Sequence, residues 1–272
     1  MSETDSRMVV APRILAIVNQ KGGVGKTTTA VNLATAMAAC QKRVLVVDLD
    51  PQGNASTGFG VPRKARDADS YAVLIGEASI AEAAIQTEVP GLEVVPASPN
   101  LSGAEIELVT MEHREFRLRE ALVRHAAGSP YDYILIDCPP SLGLLTLNAL
   151  VASDAVLVPL QCEFYALEGL SQLIRTVERV RKSLNPDLEI QGVVLTMFDR
   201  RNNLSEQVAA DVRGHFGDVV YRTVIPRNVR VSEAPSYGKP VIVYDMACSG
   251  ARAYLDLARE VLRRERALAE AA

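Results

Sequence analysis

Six short apolar runs, each followed by helix-compatible sequence, constrain the fold of this chain more than any other feature. The runs are rich in β-branched residues and lie at 14–19, 44–48, 92–96, 133–137, 155–160 and 193–196. Runs that are apolar on both faces are typical of buried parallel strands. Alternation of such strands with helices implies right-handed βαβ crossovers. The pattern therefore predicts an α/β fold: a doubly wound, mostly parallel sheet with helices on both faces and ligands at the carboxyl ends of its strands.

Length and composition bound the organisation of the chain. It has 272 residues, of which 48% are hydrophobic, enough for one large domain over 13–272 behind a disordered leader over 1–12. We find neither a signal-peptide pattern nor an apolar run near the ~18 residues of a membrane span, so a cytoplasmic protein is expected. The net charge of −4 argues against nucleic acid covering the whole surface, and any DNA contact must be regional.

A glycine-rich turn at 20–26 lies between the predicted strand 14–19 and a predicted helix over 27–40. Its glycines let backbone N–H groups curl around an anion at a helix N-terminus, which is how a P-loop ATPase holds phosphate. The Lys26 ammonium would reach the β- and γ-phosphates, and the Thr27 hydroxyl would bind Mg²⁺. The predicted nucleotide contacts in this segment are Lys21, Gly22, Gly23, Val24, Gly25, Lys26, Thr27 and Thr28.

The turn departs from the standard phosphate-loop pattern at two positions. Gln20 stands where that pattern has glycine, and Lys21 adds a second lysine although Lys26 already supplies the usual cation. Lys21 is either a solvated surface residue or a functional one, and spacing alone leaves both interpretations open.

Three motifs in order, KGGVGKTT (21–28), DLDPQGN (48–54) and ILIDCPPSLG (134–143), resemble the ParA/MinD family of deviant Walker P-loop ATPases. EFYALEGL (163–170) and IPRNVRVSEAPSYGKP (225–240) are similar to the ParA/Soj chromosome-partition branch, so the resemblance extends from residue 13 over nearly the whole chain. It implies an ATP-dependent homodimer in which Lys21 crosses the interface to the ATP of the partner. It also implies adenine contacts at Pro226 and Asn228.

Three aspartates follow or end predicted strands and supply the expected catalytic and metal chemistry. Asp137 ends an apolar run in the Walker B manner, where a carboxylate reaches Mg²⁺, usually through water. Asp48 and Asp50 end another strand, and the resemblance implies that Asp50 activates the attacking water while Asp48 supports the metal site. The alternative is that Asp48 or Asp50 only caps the following helix. Lys21, Lys26 and Asp50 are thus the predicted catalytic residues, and Thr27, Asp48 and Asp137 the predicted metal residues.

Basic side chains concentrate between residues 200 and 240. This segment contains seven cationic and four acidic residues, although the chain as a whole is acidic. Composition alone favours an ordinary solvated face, although clustered arginines also neutralise DNA phosphates without reading sequence. The resemblance implies non-specific double-stranded DNA contacts at Arg201 and Arg230. It further implies nucleoid association, a ParB-type centromere-binding partner that stimulates hydrolysis, and segregation of a chromosome or plasmid.

Other functions share parts of this pattern. A MinD-like membrane-positioning ATPase should end in an amphipathic helix with bulky apolar residues, whereas this sequence ends RRERALAEAA, and no membrane partner is expected. An iron–sulfur ATPase needs cysteines grouped for a cluster, and Cys138 and Cys162 are isolated. A metabolic ligase needs a charged substrate pocket, of which the sequence gives no sign. Relatives that position plasmids, receptor arrays or microcompartments leave the cargo open, and the leader is too short for a helix-turn-helix domain.

Overall fold

A computed structural model of the chain describes residues 11–126 and 130–271. An eight-stranded sheet runs through them, in the spatial order β3-β4-β2-β5-β1-β6-β7-β8. The strands are β1 (Arg13–Ile17), β2 (Val44–Asp48), β3 (Ile85–Gln86), β4 (Leu92–Val95), β5 (Tyr133–Asp137), β6 (Ala155–Gln161), β7 (Glu189–Phe198) and β8 (Val220–Pro226).

Pairing in this sheet is parallel except at one edge. Among the described residues, only the two-residue strand β3 runs antiparallel, alongside β4. The first strand, β1, lies between β5 and β6. Because parallel strands share their carboxyl edge, the segments that follow β1, β2, β5 and β6 meet at one place.

Helices cover both faces of the sheet. They are α1 (Lys26–Ala39), α2 (Asn54–Gly58), α3 (Ser70–Ile75), α4 (Ile80–Ala83), α5 (Leu101–Glu107), α6 (Arg117–Ala126), α7 (Leu144–Ala152), α8 (Ala166–Ser183), α9 (Asn203–Phe216), α10 (Val229–Glu233), α11 (Val241–Tyr244) and α12 (Ser249–Ala271). No helix in the described ranges has the length and apolar character needed to cross a membrane.

Two apolar clusters, one on each face, hold these layers together. On one face α1 and α12 pack against alternate strand residues such as Leu15 and Val46. On the other face α3 to α9 pack against the intervening residues, such as Ala16 and Val47. Each strand therefore buries both of its faces, which is the physical reason for its continuous apolar sequence.

The predicted α/β class is confirmed, and all six predicted strands are present. Strands β2 and β5 have the predicted bounds, while β7 extends well beyond 193–196 at both ends. The sequence patterns missed β3, which has two residues, and β8, whose Arg222 and Thr223 interrupt its apolar pattern. Residues 1–10 of the predicted leader lie outside the described residues, and the single-domain assignment stays a prediction.

Candidate nucleotide site

The turn between β1 and α1 has the backbone shape that an anion cradle requires. Gly23 and Gly25 adopt positive φ angles of 74° and 88°, and Gly25 caps the N-terminus of α1. Side chains rarely tolerate this left-handed region, so glycine is the residue that fits. The turn thereby leads directly into the positive end of a helix dipole, where phosphate binds.

Side chains from neighbouring strands fix this turn in place. The Asn19 amide donates to the Pro159 carbonyl over 2.7 Å, and the Asn19 Oδ1 accepts from the Lys21 backbone N–H over 3.0 Å. From β7, the Thr196 hydroxyl donates to the Val24 carbonyl over 2.8 Å. The cradle is thus attached to both β6 and β7, and its shape depends on tertiary contacts as well as on its glycines.

Lys26 is the cation at the base of the turn. It is 6% exposed, and its Nζ donates to the Lys21 carbonyl over 2.9 Å. Burial lowers the pKa of its ammonium, while nearby Asp137, Cys138 and Asp50 oppose that shift. An anion in the cradle would favour the charged form further, so Lys26 is suited to phosphate.

Two adjoining cavities extend from the cradle and together match the ends of a nucleotide. The larger, about 580 Å³, is bounded by the glycine turn, by Asp50 and by Pro139 to Ser141. The smaller, about 180 Å³, contains Pro226 and Asn228. Gly25, Thr28 and Met197 line both cavities, which places the predicted phosphate and adenine contacts along one continuous groove.

Asp137, at the end of β5, is a fully buried carboxylate whose charged form is favoured by Thr27 and Lys26. Its residue is 0% exposed, and neither carboxylate oxygen has a hydrogen-bond partner of ordinary geometry. Burial raises the pKa of its carboxyl well above the ordinary range and neighbouring Asp48 adds to the rise, while the adjacent Thr27 hydroxyl opposes it. A buried acid in this state is stabilised by a cation.

Asp48 and Asp50 lie at the same edge of the sheet but face different partners. Asp50 is on the wall of the larger cavity, and its Oδ1 accepts from the Gln52 N–H over 3.0 Å. Asp48 lies behind that wall, where one oxygen accepts from the Ser56 N–H and hydroxyl over 2.8 and 2.6 Å. Burial raises the pKa of Asp48 to about 6 despite these bonds. Metal support by Asp48 stays a prediction, and its observed contacts are those of a residue that shapes the following loop.

The described residues fit a magnesium ion that is bound mainly through a nucleotide. No group of three His, Cys, Asp or Glu residues is arranged within 11–126 and 130–271 to hold a metal alone. Mg²⁺ commonly uses one or two protein oxygens together with substrate phosphates and water. The Thr27 hydroxyl and the buried Asp137 carboxylate supply such oxygens beside the cradle.

In the smaller cavity, Asn228 is held in a fixed orientation. Its Oδ1 accepts from the Arg230 N–H over 2.8 Å, and its Nδ2 donates to the Ser249 hydroxyl over 2.9 Å. Met197 also faces this pocket, and it has a positive φ of 48° although it is not glycine. Sequence patterns missed Met197, since a methionine after an apolar run resembles an ordinary core residue.

Comparison with known proteins agrees with this geometry. Residues 12–190 match the model of a family described as an AAA domain. The chromosome partitioning protein ParA of Caulobacter vibrioides is 68% identical over 254 residues, covering 93% of this chain and 95% of that protein. The chain belongs to the ParA/Soj family of partitioning ATPases. The sporulation initiation inhibitor protein Soj of Bacillus subtilis is 58% identical over 249 residues, with 92% and 98% coverage.

A solved structure shares the fold of this ParA/Soj family member. It is described as cobyrinic acid a,c-diamide synthase from Mycobacterium smegmatis with bound ADP and magnesium, and it superposes with a TM-score of 0.81 at 37% identity. The match covers 94% of this chain and 96% of that one. The chain is therefore a P-loop ATPase, and ATP with Mg²⁺ is the cofactor pair that its site fits.

Neither of the two arginines expected at DNA lines the larger cavity, and both are exposed and paired with carboxylates. Arg201 makes two 3.0 Å contacts with Asp199. Arg230 contacts Glu233 at 3.0 Å and Asp245 at 3.5 Å.

A cleft of about 780 Å³ next to Arg201 gathers further arginines. Four arginines besides Arg201 line this cleft, and they are Arg200, Arg222, Arg227 and Arg252. The sequence window 200–240 missed Arg252, because α12 brings it to the cleft from outside that window.

Proposed function

We propose that this ATPase drives chromosome or plasmid segregation by dimerising on ATP, binding DNA non-specifically as a dimer and hydrolysing ATP when a ParB-type partner stimulates it. The names of its relatives support partitioning, since they include ParA and Soj at 68% and 58% identity. In this scheme the dimer holds the nucleoid, hydrolysis opens the dimer, and the monomer diffuses away. Coupling between nucleotide and DNA then acts through the monomer–dimer equilibrium.

The observation that carries this proposal is the position of Lys21. Its side chain is 52% exposed at the rim of the cradle and pairs with Glu163, whereas Lys26 occupies the base. Lys21 does not line the phosphate cavity, among the residues described. A lysine that its own site does not use, held at the surface beside that site, is suited to contact the nucleotide of a second copy.

The test compares Lys21→Ala with the wild type in ATP-induced dimerisation, measured by sedimentation velocity with a non-hydrolysable ATP analogue. We expect the variant to bind nucleotide as a monomer and fail to dimerise. Lys182→Ala is the matched control, because Lys182 is an exposed lysine in the last turn of α8. Unchanged dimerisation of Lys21→Ala would return Lys21 to the status of an ordinary surface lysine.

Residues of the cradle divide the chemical work of hydrolysis. Lys26 and the glycine N–H groups would hold the β- and γ-phosphates, Thr27 and Asp137 would hold the metal, and Asp50 would orient the attacking water. The metal, when bound there, would supply positive charge to offset that of the phosphoryl group. Asp50 suits its role because its carboxylate lies at the cavity wall while Lys26 stays at the base.

Non-specific DNA binding is assigned to Arg201 and Arg230, supported by the arginine cleft next to Arg201. Their carboxylate partners are exposed or partly exposed, and such surface ion pairs are weak enough to be exchanged for phosphate contacts. A dimer would double the number of phosphates neutralised.

To test this assignment, ATP-dependent DNA co-sedimentation of the double variant Arg201→Glu/Arg230→Glu is compared with that of the wild type. We expect binding to fall to the background level while ATP-induced dimerisation persists. Arg175→Glu/Arg179→Glu, on the exposed surface of α8, applies the same charge change elsewhere. If the Arg201/Arg230 variant co-sediments with DNA as the wild type does, neither residue contributes to DNA binding.

Two alternatives predict different experimental results. A MinD-like positioning ATPase would bind liposomes in the presence of ATP and float with them. A metabolic role is the second candidate, because the solved structure at 37% identity is described as cobyrinic acid a,c-diamide synthase. ATP turnover that rises with DNA and a ParB-type basic peptide supports partitioning, whereas turnover that rises only with cobyrinic acid supports the metabolic role.

A further inference from the structure

Lys21 is held at three separate points in this structure. Its backbone N–H donates to the Asn19 side chain over 3.0 Å, and its carbonyl accepts from the Lys26 ammonium over 2.9 Å. Its own ammonium forms an ion pair with the Glu163 carboxylate. The first two contacts fix the backbone of the cradle, so the ion pair is the contact that determines where the charged group of Lys21 lies.

The sheet order explains how residues 142 positions apart come together. Strand β6 lies beside β1 in parallel register, so the segments that leave their carboxyl ends are neighbours. Glu163 belongs to the short connection between β6 and α8, next to the cradle that follows β1. In the described part of the chain its carboxylate has no partner other than Lys21.

We propose that Glu163 is a positioning residue that holds Lys21 in the monomer and releases it to the nucleotide of a second copy. This inference rests on the proposed dimerisation, in which Lys21 crosses the interface. The ion pair must break before the ammonium can reach across, so it opposes dimer formation.

The exposure of the pair makes its release feasible. The side chains of Lys21 and Glu163 are 52% and 41% exposed. Exposed ion pairs contribute little to stability, which corresponds to an equilibrium effect of about 2- to 5-fold for each lysine. Triphosphate offers several anionic oxygens in place of one carboxylate, so the exchange favours the dimer once ATP is bound.

The surroundings of Glu163 place the pair on an outward-facing segment. Phe164 and Tyr165 follow it and are 75% and 68% exposed, with their rings edge to face at 5.1 Å. Truncation or neutralisation of Glu163 therefore affects a surface position, and the variants should fold normally.

The first measurement is the dimer dissociation constant with a non-hydrolysable ATP analogue for the wild type, Glu163→Gln and Glu168→Gln. Because two lysines are released per dimer, we expect Glu163→Gln to tighten dimerisation about 4- to 25-fold. Glu168 is exposed in the first turn of α8 and has no ion pair in the described structure, so Glu168→Gln should match the wild type. Unchanged or weaker dimerisation of Glu163→Gln overturns the proposal.

The second measurement reports on Lys21 itself in the nucleotide-free monomer. Amine-reactive labelling followed by mass spectrometry should modify Lys21 about 2- to 5-fold faster in Glu163→Gln, because the ion pair no longer restrains the amine. Labelling of Lys182 provides the internal reference. Equal labelling of Lys21 in both proteins would show that the pair does not hold the ammonium.

Failure of this inference differs from failure of dimerisation through Lys21. If Lys21→Ala dimerises like the wild type, the proposed function is at fault. If Lys21→Ala fails to dimerise and Glu163→Gln dimerises no more tightly than the wild type, only the role of Glu163 is wrong.

Discussion

Two lysines in one turn, five positions apart, have different chemistry because their surroundings differ. Lys26 is buried at the start of α1, and burial lowers the pKa of its ammonium while the neighbouring Asp137 and Asp50 oppose that shift. Lys21 is half exposed and forms an ion pair with Glu163, which lies in the connection between β6 and α8. Spacing within the glycine turn predicts the phosphate-binding role of Lys26, and its burial at the base of the turn agrees with that role.

At the residue scale we predict that Asp50→Ala lowers ATP hydrolysis but leaves nucleotide binding nearly unchanged. Asp50 lies on the cavity wall, and removal of a positioned acceptor for the attacking water should lower ATP turnover about 100-fold or more. Nucleotide affinity should change little, because Lys26 and the glycine turn remain. Turnover and fluorescent-nucleotide binding are the measurements, and Asp67→Ala provides an exposed control. Retained turnover would remove Asp50 from the catalytic residues.

The anchor from β7 to the cradle gives a second residue-scale prediction. Thr196→Val removes the hydroxyl that donates to the Val24 carbonyl and should raise the ATP dissociation constant about 2- to 10-fold. Thr196→Ser keeps a hydroxyl and should stay close to the wild type. Equal ATP affinity of the valine and serine variants would show that the glycines alone determine the shape of the cradle.

At the element scale, the edge strand β8 depends on one carboxylate of α12. Glu260 accepts from the backbone N–H groups of Arg222 and Thr223, both over 2.9 Å, and from the Thr223 hydroxyl over 2.8 Å. Arg264 joins this group at 3.2 Å and stacks over Tyr221 at 4.1 Å. The contact matters for the site because β8 ends at Pro226, on the cavity predicted to hold adenine.

Glu260→Gln should therefore destabilise the fold. Burial favours a raised pKa for this carboxyl, but the hydrogen bonds and Arg264 outweigh it, so the net pKa is lowered. A lowered pKa gives stability that is present above the unfolded pKa and lost as pH falls through the folded one. We expect a loss of about 1 to 3 kcal/mol at pH 7 in urea unfolding.

The matched control for that prediction is Glu270→Gln, the same substitution at an exposed position of α12. Its unfolding free energy should equal that of the wild type at pH 7. In strong acid the Glu260→Gln difference should shrink, because the wild-type carboxylate is then protonated. A difference that stays constant with pH would show that packing, rather than charge, links α12 to β8.

At the scale of the whole molecule, charge is distributed unevenly. The chain carries a net charge of −4, yet the cleft next to Arg201 is lined by five arginines and two aspartates. Strand β7, strand β8 and helix α12 bring these arginines together. Long-range repulsion of DNA by the acidic body would thus be offset at one local surface.

This distribution predicts the salt dependence of DNA binding by the ATP-bound protein. Arg222→Ala/Arg252→Ala should weaken binding and reduce the slope of log affinity against log salt by about one unit per lost phosphate contact. Arg175→Ala/Arg179→Ala on α8 should leave the slope unchanged. An unaltered slope in the cleft variant would exclude the cleft from phosphate contact.

The sequence alone determined the α/β class and the glycine turn between β1 and α1, and it predicted the phosphate and metal contacts around that turn. Those features are local: glycines permit the turn, a helix follows it, and continuous apolar runs must be buried on both faces. Strand β8 was missed because Arg222 and Thr223 interrupt its apolar pattern, and Met197 because a core and a pocket methionine look alike.

Tertiary structure alone decided the contacts between segments that are distant in the chain. The pairing of β1 with β6 brings Glu163 to Lys21, and α12 carries Arg252 to the cleft of Arg201. Strand order and helix packing are properties of the whole core, so they leave no trace in the spacing of either partner. The phosphate cradle could be predicted from its own residues, whereas the carboxylate that holds its second lysine became visible only in the folded sheet.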